Sequence, residues 1–340
     1  MTTTTALGRP LVEGLVADAV RAPSLHNSQP WRFRAHGDVV DVYADQTRAV
    51  PVVDPSGRAL VLSVGAAVLN LRLSVMVRLE REPLTRLLPD AGDPTHLARV
   101  QVSGRHQPTA MECRLHAALP RRRTSREPFE ERRVGPELME RLRTAAHVEG
   151  AELVPLDADM VDWVLELTGE AERTWAGDPR YVAEVQRWTT IDPQRDDGVP
   201  AQAFGPRDHA ARLHPRDFGV GRPERARATV AFEAHPQLAV LTTTRDRVVD
   251  QLRAGQALQR VLLTATDAGL GVGLLHQPVE LADLRRLLRH PASGPSSAQI
   301  VLRLGWPTAE RPATVPRRPV AEVLDVDEPA GGPTPTQAGP

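Results

Sequence analysis

The segment APSLHNSQPWRF, residues 22–33, is the most informative stretch of this sequence. It places two prolines among serine, histidine, asparagine and glutamine side chains and ends in two aromatic residues around an arginine. Pro30 has no backbone N–H and disfavours helical geometry at Gln29, so the segment cannot be the interior of a helix. The pattern therefore predicts a shaped polar loop that leads directly into a strand.

Segments with clear periodicity lie on both sides of this loop. Residues 10–21 carry apolar side chains on one face of a predicted helix, and residues 38–45 alternate as a strand does. Residues 58–80 are apolar almost all round, which indicates a helix buried at the centre of the protein. Further patterns predict a strand at 98–104 and a helix at 136–146, so the chain mixes the two kinds of element.

The second half of the sequence repeats parts of the first. The apolar helix that contains Gly65 aligns with a second one that contains Gly255, and each is followed by a short strand that ends in glycine, at Gly104 and Gly305. This order of elements favours two copies of one α+β unit. Because any two apolar helices resemble each other, chance similarity stays open as the alternative.

The composition narrows the classes of function. The 340 residues carry a formal net charge of −1, so no strong field points to a nucleic-acid or membrane partner. All 42 Lys+Arg positions are arginine, which excludes lysine Schiff bases and a P-loop lysine. The single cysteine, Cys113, excludes an internal disulfide. With no leader pattern at the start and no apolar run of roughly 20 residues, we expect a cytoplasmic protein.

Residues 172–225 differ in character from their surroundings. The stretch is rich in proline, glycine, aspartate and arginine, yet it holds five aromatic residues. Aromatic side chains in so polar a segment need another surface to pack against, so we predict a lid-like insertion over a site, with a plain structural excursion as the alternative. Residues 328–340 contain too few apolar side chains to fold and are predicted to be a disordered tail. The five aromatic residues are Trp175, Tyr181, Trp188, Phe204 and Phe218.

Several familiar sites lack support in the sequence. The histidines are scattered and no HExxH motif occurs, so no metal site is predicted. The motif GLGVG, residues 269–273, has Leu274 where a dinucleotide-binding fingerprint needs glycine, and it follows a helix where the fingerprint follows a strand. We interpret it as a helix end and a tight turn whose backbone, with Leu274 and Leu275 beyond it, approaches a flat ligand.

Two arginine clusters and a predicted helix start remain. The run RRRTSREPF, residues 121–129, precedes the helix predicted at 136, and Arg317 and Arg318 lie together in VPRRPV. Guanidinium groups bind phosphate bidentately, and a helix N-terminus adds free N–H donors. Together these features predict a phosphate site, with the polar loop at the edge of a planar ring. Taken singly, each arginine cluster is more typical of a solvated surface.

In this order, the motifs resemble those of the nitroreductase-like FMN flavoproteins, and most closely the Acg family. Acg-like chains carry the loop A-P-S-x-H-N-[ST]-Q-P-W-R-F, matched here by residues 22–33. The matches continue with R-R-R-T-[SN]-R-x-P-F, the GQALQRVLLTATDAGLGVG helix and turn, an LRLGW strand and a closing RRP. The loop motif is highly specific, and the other motifs agree with it in order and spacing.

The resemblance implies an α+β nitroreductase-like fold in which two half-units, fused in one chain, form an intramolecular pseudo-dimer. Residues 1–110 would be the N-terminal half and residues 111–327 the C-terminal half with its insertion. It also implies one non-covalent FMN per chain, and a monomer in solution because the interface between the halves is already buried. The residues implied to bind the cofactor are Pro23, Ser24, Leu25, His26, Asn27, Gln29, Arg122, Arg123, Thr124, Arg126, Leu274, Leu275, Arg317 and Arg318.

The activity implied by the resemblance is two-electron redox chemistry on a small organic substrate. The flavin would carry it without a catalytic side chain, and NAD(P)H is a candidate donor. The N-terminus has no second arginine motif and the second half has no second P-S-x-x-N loop, which argues against a second flavin. One alternative is a flavin-sequestering or sensor protein whose covered FMN turns over little. Another is a protein that binds a different phosphorylated cofactor.

Overall fold

Helices and strands are mixed along the chain in the computed structural model, which describes residues 7–190, 192, 194–213, 215–220, 227–288, 296–308 and 314–327. The predicted tail at 328–340 and part of the predicted insertion lie outside these residues. The helices are α1 (Arg9–Ala19), α2 (Arg58–Arg78), α3 (Ala110–Ala118), α4 (Pro136–Val148), α5 (Ala158–Ala176), α6 (Pro179–Arg187), α7 (Val248–Asp267), α8 (Gln277–Glu280), α9 (Ala282–Leu287) and α10 (Val320–Val323). The strands are β1 (Trp31–His36), β2 (Val39–Ala44), β3 (Arg81–Leu87), β4 (His96–Arg105), β5 (Glu152–Pro155), β6 (Thr189–Thr190), β7 (Val199–Pro200), β8 (Arg207–Asp208), β9 (Thr229–Val230), β10 (Gln237–Thr243), β11 (Gly271–Leu275), β12 (Ser297–Gly305) and β13 (Leu324–Val326).

Two larger sheets carry most of the strands. The first has the order β13-β1-β2-β4-β3 and the second has the order β11-β12-β10-β5. All neighbours are antiparallel except β13, which runs parallel to β1 and pairs Leu324 with Phe33. This arrangement confirms the predicted α+β fold class. Because a C-terminal strand completes the N-terminal sheet, the predicted halves divided at residue 110 are not self-contained.

The two long central helices, α2 and α7, cross each other at a pair of glycines. A Cβ atom added to Gly65 would lie 2.3 Å from the carbonyl oxygen of Leu252, and one added to Gly255 would lie 2.1 Å from that of Leu62. The helices therefore touch backbone to backbone. Beyond the crossing, α2 packs its apolar side chains on the first sheet and α7 packs its own on the second. The aligned glycines of the two sequence halves thus meet at the centre of the fold.

Helix α2 is buried almost all round, as its unbroken apolar pattern predicted. Among the described helices it alone has the length and hydropathy of a membrane span, so the expectation that no segment reaches this threshold is wrong at α2. Yet 89 % of its most apolar window is buried inside the protein. The helix therefore has the character of a core helix, whose apolar surface is covered by protein on every side.

The predicted insertion at 172–225 begins inside a helix. Residue 172 lies in α5, and α6 follows it, so the first part of this segment is helical. The start of α6 has an ordinary helix signal, since Asp178 caps it by accepting from the N–H of Arg180 at 2.8 Å and Pro179 is its first residue. The five aromatic residues are all buried, with exposures of 1–9 %, and they pack with Leu25 and other residues of the main body.

The helix crossing generates a stability prediction. Gly255→Ala should destabilise the protein by about 1–3 kcal/mol or more, because the new methyl group overlaps a backbone carbonyl that cannot move without shifting α2. Gly14→Ala in α1 is the matched control, since a Cβ there meets nothing within 4 Å; it should be neutral or stabilising by roughly 0.5–1 kcal/mol. Chemical denaturation of both variants measures the free energies of unfolding, and equal values would contradict a tight crossing.

Candidate functional site

The loop at residues 22–33 has unusual backbone geometry. His26, Asn27 and Gln29 have φ angles of 52°, 54° and 51°, in the left-handed region that side chains other than glycine rarely adopt. Residues in such conformations cost of order 1–3 kcal/mol each and persist only where the surroundings hold them. One of the contacts that stabilise this conformation lies within the loop, where the hydroxyl oxygen of Ser24 accepts from the N–H of Gln29 at 2.9 Å.

Asn27 ties the loop to two distant segments. Its amide nitrogen donates to the carbonyl oxygens of Gly198, at 2.9 Å, and Pro316, at 3.1 Å, while its Oδ1 accepts from Arg317 at 3.0 Å. Gly198 belongs to the predicted insertion and Pro316 to the C-terminal segment. One buried side chain therefore fixes the loop, the insertion and the C-terminal arginine relative to one another.

Gln29 and Arg318 have structural roles outside the cavity. Gln29 is fully buried; its amide donates to the carbonyl oxygen of Asp196 at 2.8 Å, and its Oε1 accepts from the backbone N–H of Arg318 at 2.9 Å. The Arg318 side chain turns to Glu322, donating to its carbonyl oxygen at 3.2 Å. These two residues therefore lie outside the cavity that the other predicted residues line, and their side chains hold the loop and the C-terminal segment. That they bind the cofactor stays a prediction that no contact here supports.

A cavity lies between the loop, the start of α2, residues 122–127, the end of β11 and the insertion. It gathers the predicted site residues apart from Gln29 and Arg318. Helix α4 does not contribute to its lining, so the predicted role for that helix N-terminus is wrong; α4 begins ten residues beyond Arg126 and packs against α7. The predicted residues that line the cavity are Pro23, Ser24, Leu25, His26, Asn27, Arg122, Arg123, Thr124, Arg126, Leu274, Leu275 and Arg317.

Arginines concentrate at one end of this cavity. Burial, reinforced by neighbouring arginines, lowers the pKa of Arg122 to about 10 and that of Arg317 to about 9. Neither of them forms an ion pair with a carboxylate in the described part of the chain, and the Nε atom of each is buried without a partner. Arg123 and Arg21 add to the same positive field. Buried cations without counter-charge are costly, so this end of the cavity favours an anion.

Arg126 lies apart from that cluster. Its Nη1 donates to the carbonyl oxygen of Ala203 at 2.7 Å, and its guanidinium carbon stands 4.7 Å from the ring centre of Phe218. Burial and the charges of Arg227 and Arg216 lower its pKa to about 10. The sequence motif predicted one phosphate-binding cluster, whereas the structure places Arg126 beneath the insertion. No local pattern in the sequence separates Arg126 from Arg122 and Arg123.

Two buried histidines face the cavity. Burial, and then the charge of Arg216, lower the pKa of His26 well below its ordinary value and that of His276 to about 3. Both imidazoles are therefore neutral near pH 7. The two ring nitrogens of His26 are buried and have no hydrogen-bond partner, which leaves one donor and one acceptor available to a ligand.

Sequence reasoning missed several residues of the cavity wall. Arg58, at the start of α2, is buried; it donates to the carbonyl oxygens of Gln299 and Val279, and burial lowers its pKa to about 10. Arg216 is also buried and forms an ion pair with Glu280. A single arginine in an arginine-rich chain carries no signal of its own. The one feature of the sequence that could have indicated Arg58 is its position at the start of a long apolar helix.

Residues 172–225 supply part of the cavity wall. The residues of this segment that line the cavity are Val199, Gln202, Ala203, Pro215, Arg216 and Phe218. Of the five aromatic residues, Phe218 alone reaches it, and the other four pack among themselves and against the main body. The described residues contain no group of three or more metal-ligating side chains.

Comparison with known proteins places the chain in a family. Residues 119–306 match the nitroreductase family. A Mycobacterium tuberculosis H37Rv protein named "Putative NAD(P)H nitroreductase acg" is 31% identical over 319 residues, which cover 93% of this chain and 96% of that protein. An uncharacterized protein of the same strain is 32% identical over 325 residues, 93% of each chain.

Two solved structures are also similar to this chain. One is a nitroreductase with bound FMN from Bacteroides fragilis, with a TM-score of 0.35 and 12% identity over 60% of this chain and 92% of that one. The other is a nitroreductase with bound FMN from Desulfitobacterium hafniense, with a TM-score of 0.37 and 13% identity over 60% of this chain and 94% of that one. From the family match and the two M. tuberculosis relatives, the chain belongs to the nitroreductase family and is one of its Acg-like members.

Proposed function

We propose that this protein binds one FMN in the cavity and is a flavin-dependent oxidoreductase that acts on a small organic substrate. The observation that carries the proposal is the buried pair Arg122 and Arg317. It lies beside the loop at residues 22–33, here called the signature loop, and no carboxylate of the described residues forms an ion pair with it. A phosphate group carries the negative charge that no described carboxylate gives these two guanidinium groups, and it offers acceptor oxygens to the buried Nε atom of each. Both solved nitroreductases compared above contain bound FMN.

The lining residues fit the parts of FMN in turn. Arg122, Arg123 and Arg317 would hold the phosphate, with the hydroxyl of Thr124 beside them. Leu274 and Leu275, together with the backbone of the signature loop, would cover an apolar ring. Gly273 permits this arrangement, because a Cβ there would lie 3.0 Å from the carbonyl oxygen of Ser125 and push the arginine segment away from β11.

The side chains of the cavity suit redox chemistry more than acid–base chemistry. When bound, FMN supplies a ring that accepts a hydride and passes on hydride or electrons. The protein surrounds that space with buried arginines and two neutral histidines, and a fixed positive field stabilises negative charge as it develops on a ligand. Among the described lining residues Glu127 is the only carboxylate, and the lowered pKa values of His26 and His276 make both imidazoles weak bases.

Adjacent arginines provide the test of FMN binding. The purified protein should be yellow and release about one FMN per chain on denaturation, because the proposal gives each chain one phosphate-binding arginine cluster. Arg317→Ala should weaken FMN by roughly tenfold to a hundredfold, through loss of charge-assisted hydrogen bonds. Arg318→Ala, the matched control, should retain wild-type affinity because its side chain lies outside the cavity. Fluorescence titration of the apoprotein measures both dissociation constants, and equal losses would contradict the assignment.

The unpaired charge of Arg122 predicts that replacing this residue makes the apoprotein more stable. Arg122→Met should raise the free energy of unfolding of the apoprotein, because it removes a buried cation held only by two hydrogen bonds of 3.5 Å. The same change should weaken FMN. Thermal denaturation of the apoprotein and FMN titration are the two measurements. A destabilised apoprotein would show that Arg122 is compensated within the fold.

The insertion supports a second candidate function, a flavin-holding protein with little turnover. Phe218 and Ala203 cover the cavity, and Asn27 fixes the neighbouring Gly198. In this case NADPH should reduce the bound flavin slowly under anaerobic conditions, while dithionite, a small reductant, does so at once.

A single substitution tests whether the insertion limits access to the flavin. It keeps Gly198, the hydrogen-bond partner of Asn27, which a deletion within the insertion would remove. Phe218→Ala should accelerate reduction by NADPH with FMN retained, because it opens the one aromatic side chain of the insertion that lines the cavity. Trp163→Ala is the control, an aromatic side chain 40 % exposed on α5. Stopped-flow absorbance measures the rates. Rapid reduction of the wild-type protein would exclude the flavin-holding function and leave the oxidoreductase.

A further inference from the structure

A buried ion pair lies behind the arginine segment, which comprises residues 122–127. The Nη1 atom of Arg303, on β12, donates to the carboxylate of Glu233 at 2.6 Å, and the two side chains are 2 % and 3 % exposed. Glu233 lies between β9 and β10 and is not among the described residues that line the cavity. Because desolvation offsets much of the attraction in a buried pair, its presence is weak evidence for a role in stability alone.

Both members of the pair also hold the main chain next to the arginines. The second carboxylate oxygen of Glu233 accepts from the backbone N–H of Phe129 at 2.9 Å. The Nη2 atom of Arg303 donates to the carbonyl oxygen of Glu127 at 2.6 Å. One carboxylate therefore fixes the chain directly at residue 129 and, through its partner arginine, at residue 127.

The ring of Phe129 is held in the same place. The guanidinium carbon of Arg303 stands 4.2 Å from the centre of this ring. A Cβ atom added to Gly271 or to Gly305 would lie 2.5 Å from the Phe129 side chain, so these two glycines make room for it. The GLGVG motif was interpreted as a turn that approaches a flat ligand, whereas at Gly271 the flat group that comes close is an aromatic side chain of the protein itself.

The arginine segment thus has a support at each end. At its start, the N–H of Arg122 donates to the carbonyl oxygen of Ala118, at the end of α3, at 2.9 Å. At its far end, Glu233 holds Phe129. Between these points the N–H of Ser125 donates to the carbonyl oxygen of Val272 on β11 at 2.8 Å, and the arginine side chains leave the segment toward the cavity.

We propose that Glu233 is a positioning residue for FMN binding, which keeps the arginine segment where its guanidinium groups meet the phosphate. This inference rests on the proposed function and adds to it a residue outside the cavity on which cofactor affinity depends. A role through charge alone predicts the opposite sign. Removing the negative charge of Glu233 would make the cavity more positive and strengthen the binding of an anion, whereas releasing Phe129 displaces the segment and weakens it.

The test changes the acceptor with and without its charge. Glu233→Gln removes the charge, and Glu233→Asp keeps a counter-ion for Arg303 but draws the carboxylate back from Phe129. Both variants should bind FMN roughly tenfold more weakly in fluorescence titration of the apoprotein. Both should also show faster amide hydrogen exchange at residues 125–129 of the apoprotein, measured by mass spectrometry. Glu130→Gln, the same loss of charge at the exposed neighbour of Phe129, should change neither quantity.

Several results would overturn the proposal. Tighter FMN binding by Glu233→Gln would assign Glu233 a purely electrostatic role. Weaker binding without faster exchange would show that the effect does not pass through the arginine segment, and faster exchange with unchanged binding would show that the position of the segment does not set the affinity. If the unpaired Arg303 prevents Glu233→Gln from folding, Glu233→Asp still gives both measurements.

Failure of the proposed function gives a different result. In that case the wild-type protein itself binds no FMN, and hydrogen exchange in the two Glu233 variants decides alone. Faster exchange at residues 125–129 would support the role of Glu233 in holding the segment, and exchange at the wild-type rate would exclude it.

Discussion

The contact between Gly65 and Gly255 is the constraint on which the rest of the structure depends. Because neither residue has a Cβ, α2 and α7 approach until each meets the backbone of the other. Each helix supports one of the two larger sheets, so their separation sets the distance between the sheets. Both helices also contribute to the cavity wall, through residues such as Leu62 and Leu258. A wider crossing would open the cavity as well as the core.

The periodic elements of the fold could be predicted from the sequence, whereas the elements set by distant contacts could not. The apolar pattern of residues 58–80 predicted α2 to within two residues, since local periodicity records burial directly. The pairing of β13 with β1 joins segments from opposite ends of the described chain, and no local pattern in either segment predicts that they pair. The pseudo-dimer, the monomeric state and the cytoplasmic location stay predictions, although the aligned glycines are now known to touch.

The residues of the candidate site could be predicted where a sequence motif marks them. They could not be predicted where the direction of a side chain decides whether a residue lines the cavity. The loop and the arginine run resembled a known family, and most of their residues line the cavity. Arg317 and Arg318 are neighbours of one residue type, and no local rule separates them. Their roles diverge because Gln29 accepts from the Arg318 backbone, while Asn27 accepts from the Arg317 side chain. The same limit applies to Arg126, whose environment is set by Phe218 in a distant segment.

The parallel pairing of β13 with β1 has a consequence for the order of folding. Strand β1 follows the signature loop near the start of the chain, but its partner leaves the ribosome only after the second sheet and both central helices have been synthesised. Arg317 lies just before that strand, so the cavity and the first sheet are completed by the same late event. A contact of such long sequence separation carries a high loop-closure entropy and is expected to form slowly. We therefore expect the end of the cavity that contains Arg317 to form last, after most of the core is in place.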